Sequence, residues 1–226
     1  MGLFYKKEKK MKRRLLLLIV AGLLAGSTLM AEMKKFYYPN HKIKSIKHYK
    51  NGKADGMEKV FYPTGQVKIV RFYKNGKLHG VARVYYKSGH LKTKTYFRNG
   101  RIEGTTYGFY ENGTLKAEMP MVNGKLNGTV KEYYPSGQLL SVAHYVMDVP
   151  VSTKKVYYEN GNMKAILHFN DKGQMNGSQK EYYDNGNLKY YLYVDNGRAV
   201  KGRIYTKKGD VRKMTHLDFT ALGFKD

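Results

Sequence analysis

Cysteine and tryptophan are absent from this chain, proline occurs five times, and 17 Asp and Glu face 42 Lys and Arg. Without cysteine there are no disulfides, no thiolate metal sites and no cysteine nucleophiles. Stability has to come from packing, and in a thin sheet cross-strand side-chain pairs contribute more than central burial. The shortage of acid leaves a formal charge of +25. That charge favours anionic partners such as lipid headgroups, acidic polymers, acidic proteins or nucleic acid, without choosing among them. Phosphate-binding and kinase motifs are missing too: there is no G-x-G-x-x-G, no G-x-x-x-x-G-K-[ST] and no H-R-D, and Asp218-Phe219-Thr220 is not a metal-binding D-F-G. The seven histidines show no metal spacing and no recurring serine or carboxylate partner. The chain is therefore expected to be no enzyme and to carry no cofactor or metal.

What is abundant is tyrosine, 22 residues, and glycine, 24 residues, with Asn-Gly and Ser-Gly pairs throughout. Such a composition reads as short strands joined by tight turns. Only the start differs. Lys6, Lys7, Lys9, Lys10, Lys12, Arg13 and Arg14 precede an uncharged stretch from Leu15 to Ala31, most apolar from Leu15 to Leu24. Basic residues, a short apolar core and the small residues Ala25, Gly26, Ser27 and Ala31 make an export-signal pattern, with cleavage expected after Ala31. The alternative is an uncleaved anchor that holds the chain at the inner membrane through residues 15–31. Leu24-Ala25-Gly26-Ser27 has serine where a lipoprotein signal needs cysteine, which excludes lipid attachment there.

The rest is periodic. Aromatic pairs recur at Tyr37-Tyr38, Phe61-Tyr62, Tyr85-Tyr86, Phe109-Tyr110, Tyr133-Tyr134, Tyr157-Tyr158 and Tyr182-Tyr183, in steps of 24 residues with one of 25. A glycine follows the second aromatic by three residues at Gly65, Gly89, Gly113, Gly137, Gly161 and Gly186. A mid-unit series, Gly52, Gly76, Gly100, Gly124, Gly173 and Gly197, is mostly preceded by asparagine and predicts a type I′ hairpin turn in each unit. About seven units then give about fourteen strands. The fifth unit has Met147-Asp148-Val149-Pro150-Val151-Ser152 instead, which predicts an irregular hairpin. A third series, Gly56, Gly80, Gly104, Gly128, Gly177 and Gly202, lies inside the second strand, where it is expected to make room for an aromatic ring against the backbone. His48, His144 and His168 occupy strand positions where other units have Phe72, Tyr96 and Tyr193, as aromatic substitutes rather than ligands.

The units resemble MORN repeats in a bacterial variant form, read here as Tyr62-Pro63-Thr64-Gly65-Gln66-Val67-Lys68 followed by Tyr73-Lys74-Asn75-Gly76-Lys77-Leu78-His79-Gly80. The resemblance implies an all-β, elongated, single-layer antiparallel sheet curved into a groove, and some proteins of that kind are antitoxin components of toxin–antitoxin pairs. Expected domains are residues 1–31 as signal or anchor, 32–205 as the repeat domain, and 206–226 as a degenerate repeat and cap. In that cap Leu217, Phe219, Leu222 and Phe224 are expected to fold over the open sheet edge.

Two basic series run through the units: Lys44, Lys68, Lys92, Lys116, Lys164 and Lys189, and Lys59, Arg83, Lys131 and Lys155. Register counted from two-residue turns sets Lys44 opposite Lys59, Lys68 opposite Arg83 and Lys116 opposite Lys131. Opposed like charges are mildly destabilising, so their recurrence points to a basic binding face; the alternative is that these lysines solubilise an extended sheet and cover its tyrosine rings with their apolar stems, without contacting a ligand. The expected function is a non-enzymatic scaffold of the cell envelope, exported to the periplasm, the cell surface or the medium. It would bind a protein partner or an anionic lipid or polymer surface through Tyr and Lys rows. Immunity or antitoxin action is the alternative, and nucleic acid is disfavoured by export.

Overall fold

The computed structural model describes residues 31–224, and the export-signal reading of residues 1–30 lies outside them. The described chain forms one 19-stranded sheet followed by a short helix. In chain order the first nine strands are β1 (Ala31–Tyr37), β2 (Ile43–Lys50), β3 (Lys53–Phe61), β4 (Val67–Lys74), β5 (Lys77–Leu78), β6 (Gly80–Tyr85), β7 (Leu91–Arg98), β8 (Arg101–Ile102) and β9 (Gly104–Phe109). Then come β10 (Leu115–Val122), β11 (Lys125–Leu126), β12 (Gly128–Tyr133), β13 (Leu139–Val146), β14 (Val149–Tyr157) and β15 (Met163–Phe169). The last are β16 (Gly177–Tyr182), β17 (Leu188–Asp195), β18 (Arg198–Tyr205), β19 (Val211–Lys213) and helix α1 (His216–Ala221). Each long strand pairs antiparallel with the next, and the short β5, β8 and β11 extend β6, β9 and β12 against β4, β7 and β10, so the sheet is a meander with no crossover.

The Asn-Gly hairpin turns are type I′: asparagine and glycine both take positive φ, for example 50° and 84° at Asn75-Gly76. Unit five keeps this turn with other residues, since Met147 and Asp148 take φ of 50° and 75° and Val146 pairs with Val149. The irregularity expected there falls after the turn, where Ser152 takes φ of 65°. Unit six departs from the expected turn, since its hairpin closes through a longer loop from Asn170 to Gln174 in which Gly173 alone takes positive φ.

The glycines inside the second strands serve a different purpose from the one expected. Gly80 and Gly104 take φ of 86° and 72°, and a side chain at Gly104 would meet nothing within 4 Å. They are bulge residues that need left-handed backbone, not platforms for a ring. In three units the bulge splits the second strand in two, and with β1 before the first hairpin and β19 after the last this makes nineteen strands rather than about fourteen. Gly56 and Gly128 also lie close to the His48 and Pro120 side chains, and Gly202 departs from the series: it lacks the left-handed backbone, and Met214 fills the space where its side chain would be.

The bulge also resets the register. At the turn Tyr73 pairs with Leu78, but beyond it Val70 pairs with Arg83, a slip of two residues. Counted along the corrected register, one face carries three rows that cross the strands. Ile69, Val84, Thr93, Gly108, Ala117, Glu132 and Ser141 lie in the first row; Arg71, Ala82, Thr95, Thr106, Met119, Val130 and Ala143 in the second. Tyr73, Phe97, Met121, Tyr145 and Phe169 lie in the third. We call this the front face. Its small residues Ala117, Ser141 and Ala143 are only 8%, 4% and 5% exposed, shaded by taller neighbours in a single-layer sheet.

The tail does not close the sheet edge as expected. β19 adds a further, short, exposed strand whose Arg212 and Lys213 discourage edge pairing. Past Thr215, which caps α1 in a capping box with Asp218, the chain returns over the front face. There Leu222 and Phe224 close around Leu167, Gln179, Tyr190 and Leu192.

Candidate binding face

Each unit is tied to the next through the second tyrosine of its aromatic pair. The Tyr62 hydroxyl donates to the Tyr85 carbonyl at 2.8 Å, and the same bond recurs from Tyr38, Tyr86, Tyr110, Tyr134, Tyr158 and Tyr183, each 22 to 24 residues onward. This ladder of seven rungs fixes the rings along one rim of the sheet. The first aromatic is Phe at 61 and 109 and Tyr in the other units, whereas the second is Tyr in every unit. That difference is the signal for a hydroxyl rung, and counting aromatic pairs alone misses it. At the opposite rim the turns stack on one another, as Gly76, Gly100, Gly124 and Gly197 donate N–H to carbonyls of the preceding unit at 2.7–2.9 Å.

The first basic series sits on the tyrosine rim. The ammonium groups of Lys44, Lys68, Lys92, Lys116 and Lys164 lie 5.2–5.9 Å from the ring centroids of Tyr38, Tyr62, Tyr86, Tyr110 and Tyr158, within cation–π reach. Each is the extra residue of a strand bulge: Val60 pairs with Ile69 and Phe61 with Val67, which leaves Lys68 between them. Lys189 holds the same bulge position but forms an ion pair with Glu181 at 2.7 Å, which raises its pKa, and Lys207 takes the place over Tyr183. Glu181 pairs in register with Tyr190 on the front face, so this bulge turns the series toward that side.

The second series lies on the back. Lys59 is flanked by Ile46 and Val70, Arg83 by Val70 and Lys94, Lys131 by Glu118 and Val142, and Lys155 by Val142 and Ile166. The expected opposed pairs Lys44–Lys59, Lys68–Arg83 and Lys116–Lys131 therefore do not form. The two-residue slip at the glycine bulge places Ile46, Val70 and Glu118 where Lys44, Lys68 and Lys116 were counted, and the like charge that Arg83 does face is Lys94 on its other side.

Histidine fills aromatic positions on the back face and is held by cross-strand partners. His48 Nδ1 lies 2.6 Å from the Met57 carbonyl, and His168 Nδ1 lies 2.9 Å from the Thr153 hydroxyl. At the start of the front face Glu58, 6% exposed, accepts from Arg71 at 2.5 Å and from the Tyr73 hydroxyl at 3.0 Å. Burial, partly offset by Arg71 and reinforced by Glu58, pushes the Tyr73 phenol up to about 12. Lys47 lies 4.3 Å from the Tyr73 ring centroid. The cluster satisfies itself and leaves no reactive group poised for proton transfer.

Known proteins add the following. The family described as MORN repeat variant matches seven segments: 34–51, 54–77, 78–99, 102–123, 126–147, 152–171 and 175–196. No curated protein matches the chain. Among solved structures, the one titled "Crystal Structure of TcdB2-TccC3-TEV" is 11% identical with a TM-score of 0.25, over 82% of this chain and 13% of that one.

Proposed function

The chain belongs to the MORN repeat variant family, and we propose that it is a non-enzymatic binding scaffold of the bacterial cell envelope that holds an anionic protein or surface along its tyrosine rim. The observation that carries the reading is the repeated stack of lysine over a locked tyrosine ring. Each ring is fixed by a backbone hydrogen bond, so its ammonium is presented with little freedom left to lose on binding. Strand spacing puts successive lysines roughly 10 Å apart, close to the Debye length at physiological salt, so a partner must match them one by one. The export-signal pattern of residues 1–31 supports an envelope location.

The test is retention on anionic vesicles or an acidic polymer at low and moderate salt. Substituting Lys68, Lys92, Lys116 and Lys164 together by Glu is expected to abolish retention while the melting temperature holds. Unchanged retention would return these lysines to a purely solubilising role.

A further inference from the structure

The chain's own tail shows what the front face accepts. Leu222 and Phe224 lie across the strands over Leu167, Gln179, Tyr190 and Leu192, leaving Leu192 and Gln179 2% and 1% exposed and Val194 fully buried. Leu192 is the counterpart, three units on, of Met119, and Met119 remains half-exposed. The same rows thus run on uncovered past the end of the tail.

The uncovered stretch has the dimensions of a helix. From Ala82 to Ala143 the second row crosses six strands, about 24 Å at the spacing of a sheet. The first and third rows are separated by four residues along a strand, roughly 13 Å, against a helix diameter of about 10–12 Å. The floor between them is uncharged, made of Ala82, Thr95, Thr106, Met119, Val130 and Ala143. Phe97, Met121 and Tyr145 wall one side, and the tyrosine rim with Lys92 and Lys116 walls the other. An extended strand has no open edge to pair with here, since the floor lies in the middle of the sheet with a paired strand on either side. What fits is a rod that satisfies its own backbone.

We propose that the front face between Ala82 and Ala143 docks an amphipathic α-helix of a partner protein, about 16 residues long, with a Leu- or Met-rich stripe on the floor and carboxylates toward Lys92 and Lys116. The length follows from a rise of 1.5 Å per residue over the uncovered rows. The proposal rests on the rim reading for its charged flank alone. Its apolar stripe stands on the rows that the tail already uses. The tail fills the equivalent rows in cis at the far end of the sheet.

The test uses the full chain and three fluorescent 16-residue peptides: one with a Leu stripe flanked by Glu, one with the same composition scrambled, and one with Glu changed to Gln. Fluorescence anisotropy is expected to show the striped peptide binding at least tenfold more tightly than the scrambled one, and gaining helicity on binding. Met119→Lys is expected to weaken it at least tenfold with the melting temperature held, whereas Val142→Lys on the back face leaves it unchanged. Should Met119→Lys misfold, methyl NMR shifts of the parent at Thr95, Thr106 and Ala117, set against Val70 and Val142, read the same face. Equal binding of striped and scrambled peptides overturns the helix dock, and if vesicle retention persists the anionic rim stands without it. Tight binding of the Gln peptide would retain the helix dock and remove its charged flank.

Discussion

A tyrosine hydroxyl bonded to a carbonyl of the next unit is a local interaction with a long reach, because it joins residues 23 apart without lengthening any strand. Replacing Tyr86 by Phe removes the donor, leaves the Phe109 carbonyl short of one partner and keeps the ring. The expected loss is about 1 kcal/mol, the usual net value of one such bond. Thermal melts of Y86F and Y110F should each fall by a few degrees, and a melt equal to the parent would show that water replaces the rung. Tyr73 makes a different prediction. Its phenol titrates near 12 in the folded state, above the ordinary 10. The folded chain therefore holds a proton that the unfolded chain releases between those values. The stability that Tyr73 contributes is complete below pH 10 and is lost as pH rises toward 12. Tyr73→Phe should flatten that part of the stability curve, measured by denaturant melts between pH 9 and 12.

At the scale of elements, the glycine bulge decides more than the turn does. Gly104 has open space around its missing side chain but a φ of 72°. An alanine there meets no atom and still costs about 1–2 kcal/mol for left-handed backbone. Gly128, at φ of 122°, has Pro120 3.1 Å from the position of an added Cβ and should lose more. The ordering Gly128→Ala worse than Gly104→Ala, read from midpoints in urea, separates conformational cost from crowding. The period, the type I′ turns and the antiparallel meander were all legible in the residues, because Asn-Gly fixes turn geometry and an aromatic pair every 24 residues fixes the unit. Which lysines face each other was not legible. A glycine in a strand signals a bulge, but only the hydrogen-bond pattern shows that two residues are absorbed there. The tyrosine rim lay in the sequence as an invariant Tyr beside a variable one. The front trough did not, since it depends on that same absorbed pair. The tail element carries its own pH sign: Asp218 is held well below the usual carboxylate range by Arg212 and by the Thr215 cap. Its contribution is present above about pH 4 and fades on acidification, so Asp218→Asn should loosen the tail at neutral pH, seen as faster amide exchange at Leu192 and Val194.

Across the whole molecule the units behave as a one-dimensional stack. Among the described residues the main contacts link each strand to the strands beside it in the sheet. Stability should then be close to a sum of unit and interface terms, with unfolding able to start at any weakened junction. Unit five is the natural weak point. Leu140 leaves Tyr134 without the lysine that stacks on its counterparts, and Ser152 carries the left-handed backbone that glycine takes elsewhere. At the other end the tail buries Leu192 and Val194 and adds an interface that no earlier unit has. Native-state hydrogen exchange should therefore protect β16 and β17 most, with a dip at β14 and fraying of β1, whose seven residues are all exposed. Ser152→Gly should raise the dip by relieving the strained backbone, by about 1 kcal/mol. It should leave protection in β3 and β4, three to four units away, unchanged. A rise there as well would show that the sheet unfolds as a single cooperative block and that the stack description fails.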